Sequence, residues 1–282
     1  MIFRTDHFCP VFLCDQRVII MSERIYDIEE ILINAFPAVE REIYDGWIMN
    51  FSDAYTYRAN CICPFYQSRH SLEKKIKHCE QQYMDMLLPI VYKMTDAYPE
   101  VLDKKLEEMD YKIEKYVDVL CCELEHWHAP VYHNETNRFQ FVSYDHIDVK
   151  WIQAVNELIG VPTRAMALTQ QKIFESISLP VICVSVICEG KIIGTGLGVI
   201  ERGYVGLYAI HVHQDYRRKG LAERICAMIM NQGKMAGAEC AHLQVRHGNA
   251  GAFALYDVLG FHKEYTQWFR VKKWPGAKAI FD

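Results

Sequence analysis

The chain has 282 residues, 51% apolar and 24% charged. That is longer than the roughly 100–200 residues of one domain and too apolar for a disordered chain, so two folded modules are expected. The net charge of -5, with no long basic run, excludes a broad nucleic-acid face and leaves a small ligand or a protein surface as partner. Eleven cysteines, odd in number and set in apolar runs such as 181–188, read as reduced core thiols of a cytoplasmic protein. That same run falls far short of the ~20 residues of a membrane helix. Asp15 and Arg17 interrupt the apolar pieces of the first twenty residues, so no signal peptide is expected. Met21 is a second plausible start, making 1–20 an extension outside the fold.

In the first half, apolar spacing predicts a helix over 25–36, strands over 46–51 and 55–62, and a helix over 71–84. A strand over 88–93, a helix over 99–109 opened by Pro99 and a strand over 111–120 follow. The polar stretch 126–137 reads as a join. The second half begins with helices over 147–158 and 164–176, punctuated by Gly160, Pro162 and Pro180. Strands 180–188 and 191–200 flank the hairpin signal Glu189-Gly190. Strand 204–213, helix 220–236, strand 241–247, helix 250–259 and strand 261–271 complete the chain. The tail order recurs in both halves, so a tandem of related modules is expected at 21–142 and 143–282.

One segment carries chemistry. Strand 204–213 runs into Gln214-Asp215-Tyr216-Arg217-Arg218-Lys219-Gly220-Leu221-Ala222, a basic turn that opens a helix. Consecutive backbone N–H groups and the positive helix end converge there, which makes an anion site. Gly220 lets a phosphate approach without a Cβ in the way, and Ala222 keeps the helix close to its strand. As structural positions these residues could equally be a turn and a solvated helix start; Asn249 is a good N-cap and Gly260 a good helix terminator.

Arg217, Gly220 and Ala222 meet the Arg/Gln-x-x-Gly-x-Gly/Ala pyrophosphate loop of the GNAT superfamily of N-acetyltransferases. The run Asn249-Ala250-Gly251-Ala252-Phe253-Ala254-Leu255-Tyr256-Asp257-Val258-Leu259-Gly260-Phe261 resembles a second segment of that superfamily. Residues 147–272 thus resemble a GNAT domain, and the first half resembles a degenerate copy. The resemblance implies an α/β (α+β) fold, a mixed and mostly antiparallel sheet flanked by helices. It implies acetyl-CoA as acyl donor, no metal, and an amine acceptor that is a small molecule or a protein amino group.

Carried onto this sequence, the resemblance places pantetheine against main-chain groups of Ile210 and Val212. The pyrophosphate falls to Arg217, Arg218, Lys219, Gly220, Leu221 and Ala222, a cofactor hydrogen bond to Asn249, and the general acid to Tyr256. Where many relatives place a glutamate base this chain has Tyr204, with Glu201 in the preceding turn. His211, on the same strand face as His213, is the candidate for a proton relay. Arg58-Ala59-Asn60-Cys61 resembles a segment that precedes the catalytic copy in tandem GNAT proteins, with a possible role in acceptor binding. Cys61-x-Cys63 and the loop histidines His126, His128 and His133 lack the second ligand set a zinc site needs. A CoA-binding sensor or scaffold without turnover, and a transferase of longer acyl groups, are the alternatives; an oligomer is compatible with either.

Overall fold

A computed structural model describes residues 16–66, 68–132 and 138–281. Within them, seven helices and eleven strands build one continuous sheet. The first half contains α1 (Gln16–Ala35), β1 (Glu40–Tyr44), β2 (Trp47–Phe51), β3 (Ile62–Cys63), α2 (Leu72–Asp85), β4 (Ile90–Thr95), α3 (Glu100–Glu108) and β5 (Lys112–Glu123). The second contains β6 (Gln140–Tyr144), α4 (Val149–Ile159), α5 (Arg164–Glu175), β7 (Val181–Cys188), β8 (Lys191–Glu201), β9 (Tyr204–Val212), α6 (Leu221–Met235), β10 (Cys240–Arg246), α7 (Ala250–Val258) and β11 (His262–Lys272). The mixed, mostly antiparallel sheet with flanking helices is as expected. Only β3 with β4 and β9 with β10 run parallel.

The order across the sheet is β1-β2-β3-β4-β11-β5-β10-β9-β8-β7-β6. The closing strand of each half therefore lies on the other half's side. β11 pairs with β4, from Gln267 opposite Thr95 to Lys272 opposite Ile90. β5 pairs with β10, from Val117 opposite Arg246 to Glu123 opposite Cys240. β5 and β11 also pair with each other at the centre. Val117, Val119, Leu120, Cys121 and Cys122 are buried there, and full burial of such side chains contributes roughly 1.5–3 kcal/mol each.

Helices α1, α4 and α5 cover one face of the second-half strands, through Ile28, Trp151 and Phe174 against Val119, Leu197 and Tyr208. Helices α6 and α7 cover the other, through Ile225, Met230 and Leu259 against Val184, Leu207 and Leu243. The Ile229 side chain of α6 packs on the bare backbone of β8, where a Cβ on Gly198 would stand 2.6 Å from its Cγ2. Asp148 caps α4 through the Trp151 N–H at 2.7 Å, and Gly160 ends it in the left-handed region.

The strand expected over 55–62 is absent except for β3. Asn60 replaces it with a looped segment: its Oδ1 accepts from the N–H groups of Ser52 (2.7 Å) and Ala54 (3.2 Å), and its Nδ2 donates to the Thr56 carbonyl (2.8 Å). A side chain that binds nearby backbone competes with ladder pairing. Two strands carry no sequence signal, β1 because its residues are mostly exposed and β6 because it follows the polar join. Helix α1 begins at Gln16, inside the segment expected as an extension; residues 1–15, and 133–137 of the join, lie outside the described residues. No helix of the described residues is long and apolar enough to cross a membrane.

Candidate active site

The site is a wedge in the sheet. β9 pairs with β10 only from Tyr204 opposite Cys240 to Leu207 opposite Leu243. Beyond that, β9 stays with β8 and β10 stays with β5. A bulge opens the wedge: the register of β8 with β9 shifts between Thr195 and Leu197, Ala209 adopts φ 48°, and its carbonyl accepts from Thr195 Oγ1 at 3.1 Å. Ile210 and Val212 stand on the strand beyond this bulge.

A cavity of about 440 Å³ fills the mouth of the wedge. Its floor is 207–211 of β9, with Gln244 of β10 and Tyr256 of α7. Phe36 at the end of α1, Val155 and Ile159 of α4, Gln170 and Phe174 of α5, the 55–58 loop and Phe281 enclose it. Arg58 stacks 4.2 Å from the Phe36 ring centroid and donates from Nη1 to Gln244 Oε1 at 3.1 Å. Gln244 donates to Gln267 (2.6 Å), and Gln267 donates to Glu29. Glu29, fully buried on α1, also accepts from Tyr265 (2.7 Å) and pairs with Lys93 at 2.6 Å. This interior polar chain ends at the cavity wall.

The basic turn lies at the end of β9. A single 3-10 turn, Gln214–Tyr216, leads into it. Arg217 Nε donates to the Val212 carbonyl at 3.1 Å, and Lys219 Nζ to the Asp215 carbonyl at 3.3 Å, so both side chains brace the turn. Arg218 (φ 62°) and Gly220 (φ 70°) are left-handed, and Gly220 immediately precedes α6. A Cβ on Gly220 would meet nothing within 4 Å, so the space above this helix end is open. Leu221 is buried beneath it.

The corresponding turn of the first half is filled. The Asp45 carboxylate accepts from the Arg69 N–H at 2.9 Å and the His70 N–H at 2.9 Å, just ahead of α2. Those bonds, the His70 N–H first, hold its pKa down to about 2.

Tyr256 is 8% exposed and lines the cavity opposite the bulge. Burial, with a smaller contribution from the Cys226 thiol, raises its phenol above the ordinary value, so it stays protonated at neutral pH. His211 lines the same cavity and is pushed down to about 4 by burial and by the charges of Arg58 and Arg217, so its imidazole is neutral. Asn249 caps α7, its Oδ1 accepting from the Ala252 N–H at 3.2 Å, which leaves its amide nitrogen as the atom able to reach a cofactor. Glu201 accepts from Asn34 at 3.0 Å and pairs with Arg202 at 3.3 Å, and Tyr204 packs edge-on to His242. Neither lines the cavity. Gln170, Gln244, Phe36 and Phe174 do, and no local motif marks them.

Cys61 and Cys63 are buried with their sulfurs 3.8 Å apart, and His133 lies outside the described residues. Among the described residues no group of three metal-ligating side chains forms.

The sequence model described as "Probable histone acetyltransferase Rv0428c C-terminal" matches residues 22–269. The chain belongs to this family. It is a GNAT N-acetyltransferase, and acetyl-CoA is the donor general to that superfamily. An uncharacterized N-acetyltransferase, YobR of Bacillus subtilis, is 24% identical over 254 residues, covering 88% of this chain and 99% of that protein. Among solved structures, a GCN5-related N-acetyltransferase from Kribbella flavida superposes with a TM-score of 0.66 at 14% identity, covering 90% of this chain and 96% of that one. A tandem GNAT protein from the clavulanic acid biosynthesis pathway gives 0.58 at 11% identity, covering 73% and 71%. At these identities the structures establish the fold alone.

Proposed function

We infer that this acetyltransferase moves the acetyl group of acetyl-CoA directly to an amine held in the 440 Å³ cavity, with Tyr256 as general acid. The observation that carries this reading is that β9 runs from the wedge, where the buried phenol of Tyr256 lines the cavity, straight into the turn whose helix end at Gly220 is open. Acetyl-CoA supplies the activated thioester. The main-chain N–H groups from Arg218 to Ala222 bind the pyrophosphate, and the left-handed Gly220 leaves them uncovered.

Main-chain groups of Ile210 and Val212 orient the pantetheine arm where β9 has no second partner strand. The Asn249 amide adds a hydrogen bond. Tyr256 gives its proton to the departing thiolate, a role that a phenol kept protonated by burial suits. His211, neutral at pH 7, accepts a hydrogen bond from the attacking amine, directly or through a relay. A sensor without turnover would not need the buried phenol at the wedge.

The two modules, 21–142 and 143–282, divide the work. Asp45 already occupies the first half's turn, while Leu106 and Pro99 stand where the second half has Tyr256 and Asn249. This supports one cofactor site per chain, with the first half shaping the acceptor cavity through Phe36, Tyr55 and Arg58. The free, buried state of all nine described cysteines supports a reducing, cytoplasmic setting. Calorimetric titration of the intact protein should give one CoA per chain, and Gly220→Glu should abolish it by placing bulk and negative charge at the open helix end. Retained binding, or a second site surviving the change, overturns the assignment.

A further inference from the structure

Among its described lining residues the acceptor cavity contains no carboxylate. The titratable and charged groups that face it are Tyr55 and Arg58 from the 55–58 loop, Tyr208 and His211 from β9, and Tyr256 from α7, with Arg217 near enough to act on His211. The lining from α1, α4 and α5 is Phe36, Val155, Ile159, Gln170 and Phe174, none of which ionises. No carboxylate appears among the described lining residues, and Glu201, the nearest acidic candidate in sequence, is turned toward Asn34 and Arg202. The formal charge in the wall is the Arg58 guanidinium, stacked on Phe36.

Such a cavity is hostile to a positive nitrogen. Desolvation penalises any cation that enters, and a guanidinium in the wall repels it. The same burial and the charges of Arg58 and Arg217 push the His211 ring down to about 4. The wall nevertheless offers an uncharged acceptor in the His211 ring, while Gln170 Oε1 and the Tyr208 hydroxyl, without hydrogen-bond partners among the described residues, are sealed behind its surface. The environment thus binds an N–H donor and rejects an ammonium charge.

We propose that the acceptor is a weakly basic amine, an α-amino group or an aryl amine, which enters the cavity already neutral, and not a lysine side chain or a polyamine. The inference rests on the transferase reading of this cleft and names its substrate class. It removes the need for an enzymic base before attack: proton loss takes place in solvent, set by the amine's own pKa. At pH 7 an α-amino group of pKa about 7.8 is neutral in about one molecule in seven, and a lysine-type amine of about 10.4 in about one in 2,500. As the amine nitrogen bonds to the acetyl carbonyl carbon, the carbon–sulfur bond breaks. Tyr256 protonates the thiolate, and the proton released from nitrogen passes to solvent past the neutral ring of His211.

The test is CoA thiol release by the intact enzyme with acetyl-CoA and a panel of amines between pH 6 and 10. Phenylalaninamide and a tetrapeptide with amino-terminal phenylalanine serve as α-amines, p-toluidine as the aryl amine, and phenethylamine and spermidine as strong bases. At pH 7, kcat/KM per total amine should be about 10²-fold higher for phenylalaninamide than for phenethylamine, which differs by the carboxamide that weakens the base. The rising limb of kcat/KM should end at each acceptor's own pKa. The peptide and p-toluidine distinguish a peptide terminus from a free aryl amine as the source of the same chemistry. A breakpoint shared by all acceptors, or spermidine and phenethylamine matching the α-amines at pH 7, overturns the proposal and leaves the transferase standing. Thiol release with none of them, CoA binding being intact, overturns both.

Discussion

At the scale of single residues, burial decides what each ionisable side chain can do. Tyr256 keeps its proton because its phenol is enclosed, which suits the donor role proposed for it. Tyr256→Phe should therefore lower kcat by roughly 10²-fold with CoA affinity nearly unchanged, measured by thiol release and calorimetry; unchanged turnover would remove Tyr256 from the mechanism. His242 is a second case, fully buried in β10 with both ring nitrogens unpartnered among the described residues and its pKa down at about 4. Its Nε2 and the Tyr208 hydroxyl crowd Gly206, 2.7 and 2.6 Å from where a Cβ would be. The folded state keeps this imidazole neutral while the unfolded chain protonates near pH 6.5. Stability is thus present above 6.5 and lost as pH falls toward 4, by roughly 2 kcal/mol between pH 6.5 and 4.5 from this group. His242→Gln should flatten the fall of Tm across that window, and an unaltered slope would mean that His242 ionises freely.

At the scale of elements, two turns with the same place in the two halves differ in who supplies the anion. The turn before α6 has a left-handed glycine with open space above it, and its cationic side chains are tied to the turn's own carbonyls. The turn before α2 receives Asp45 from the β1–β2 hairpin, where φ is 43°. Its backbone donors are satisfied from within the chain, so nothing is gained by binding a phosphate there. The same contrast holds for the helices that follow, since α7 carries Tyr256 into the cleft and α3 buries Leu106 in the first-half core.

At the scale of the whole molecule, the exchange of closing strands makes the two halves one folding unit. β5 fills the place between β10 and β11, and β11 the place between β4 and β5. Cutting the chain in the join ahead of β6 leaves the second half with β10 and β11 unpaired along the edges that β5 occupies. Exposed edges of that length invite aggregation. Fragment 138–282, which keeps β6 whole, should be insoluble or fail to bind CoA when expressed alone, and the two fragments expressed together should copurify and regain binding. Full CoA affinity in the isolated second fragment would show that β5 is dispensable.

The sequence by itself determined the local parts: most of the helices and strands, the basic turn with Gly220, and the Asn249-to-Phe261 segment that carries Tyr256. Each is encoded within about twenty consecutive residues, where periodicity, caps and turn chemistry act over short range. Tertiary structure alone decided where β5 and β11 pair, because both are half-apolar strands whose ladder bonds either half could satisfy. It also decided the cavity, whose wall joins Phe36, Arg58, Gln170, Gln244 and Phe281 from distant elements. The loop at 55–61 was misleading in sequence because apolar residues there serve the core while Asn60 ties up the backbone. The make-up of the cavity wall is likewise a property of the assembled fold: each residue is ordinary in sequence, and only tertiary packing brings Arg58 and these neutral side chains around one space.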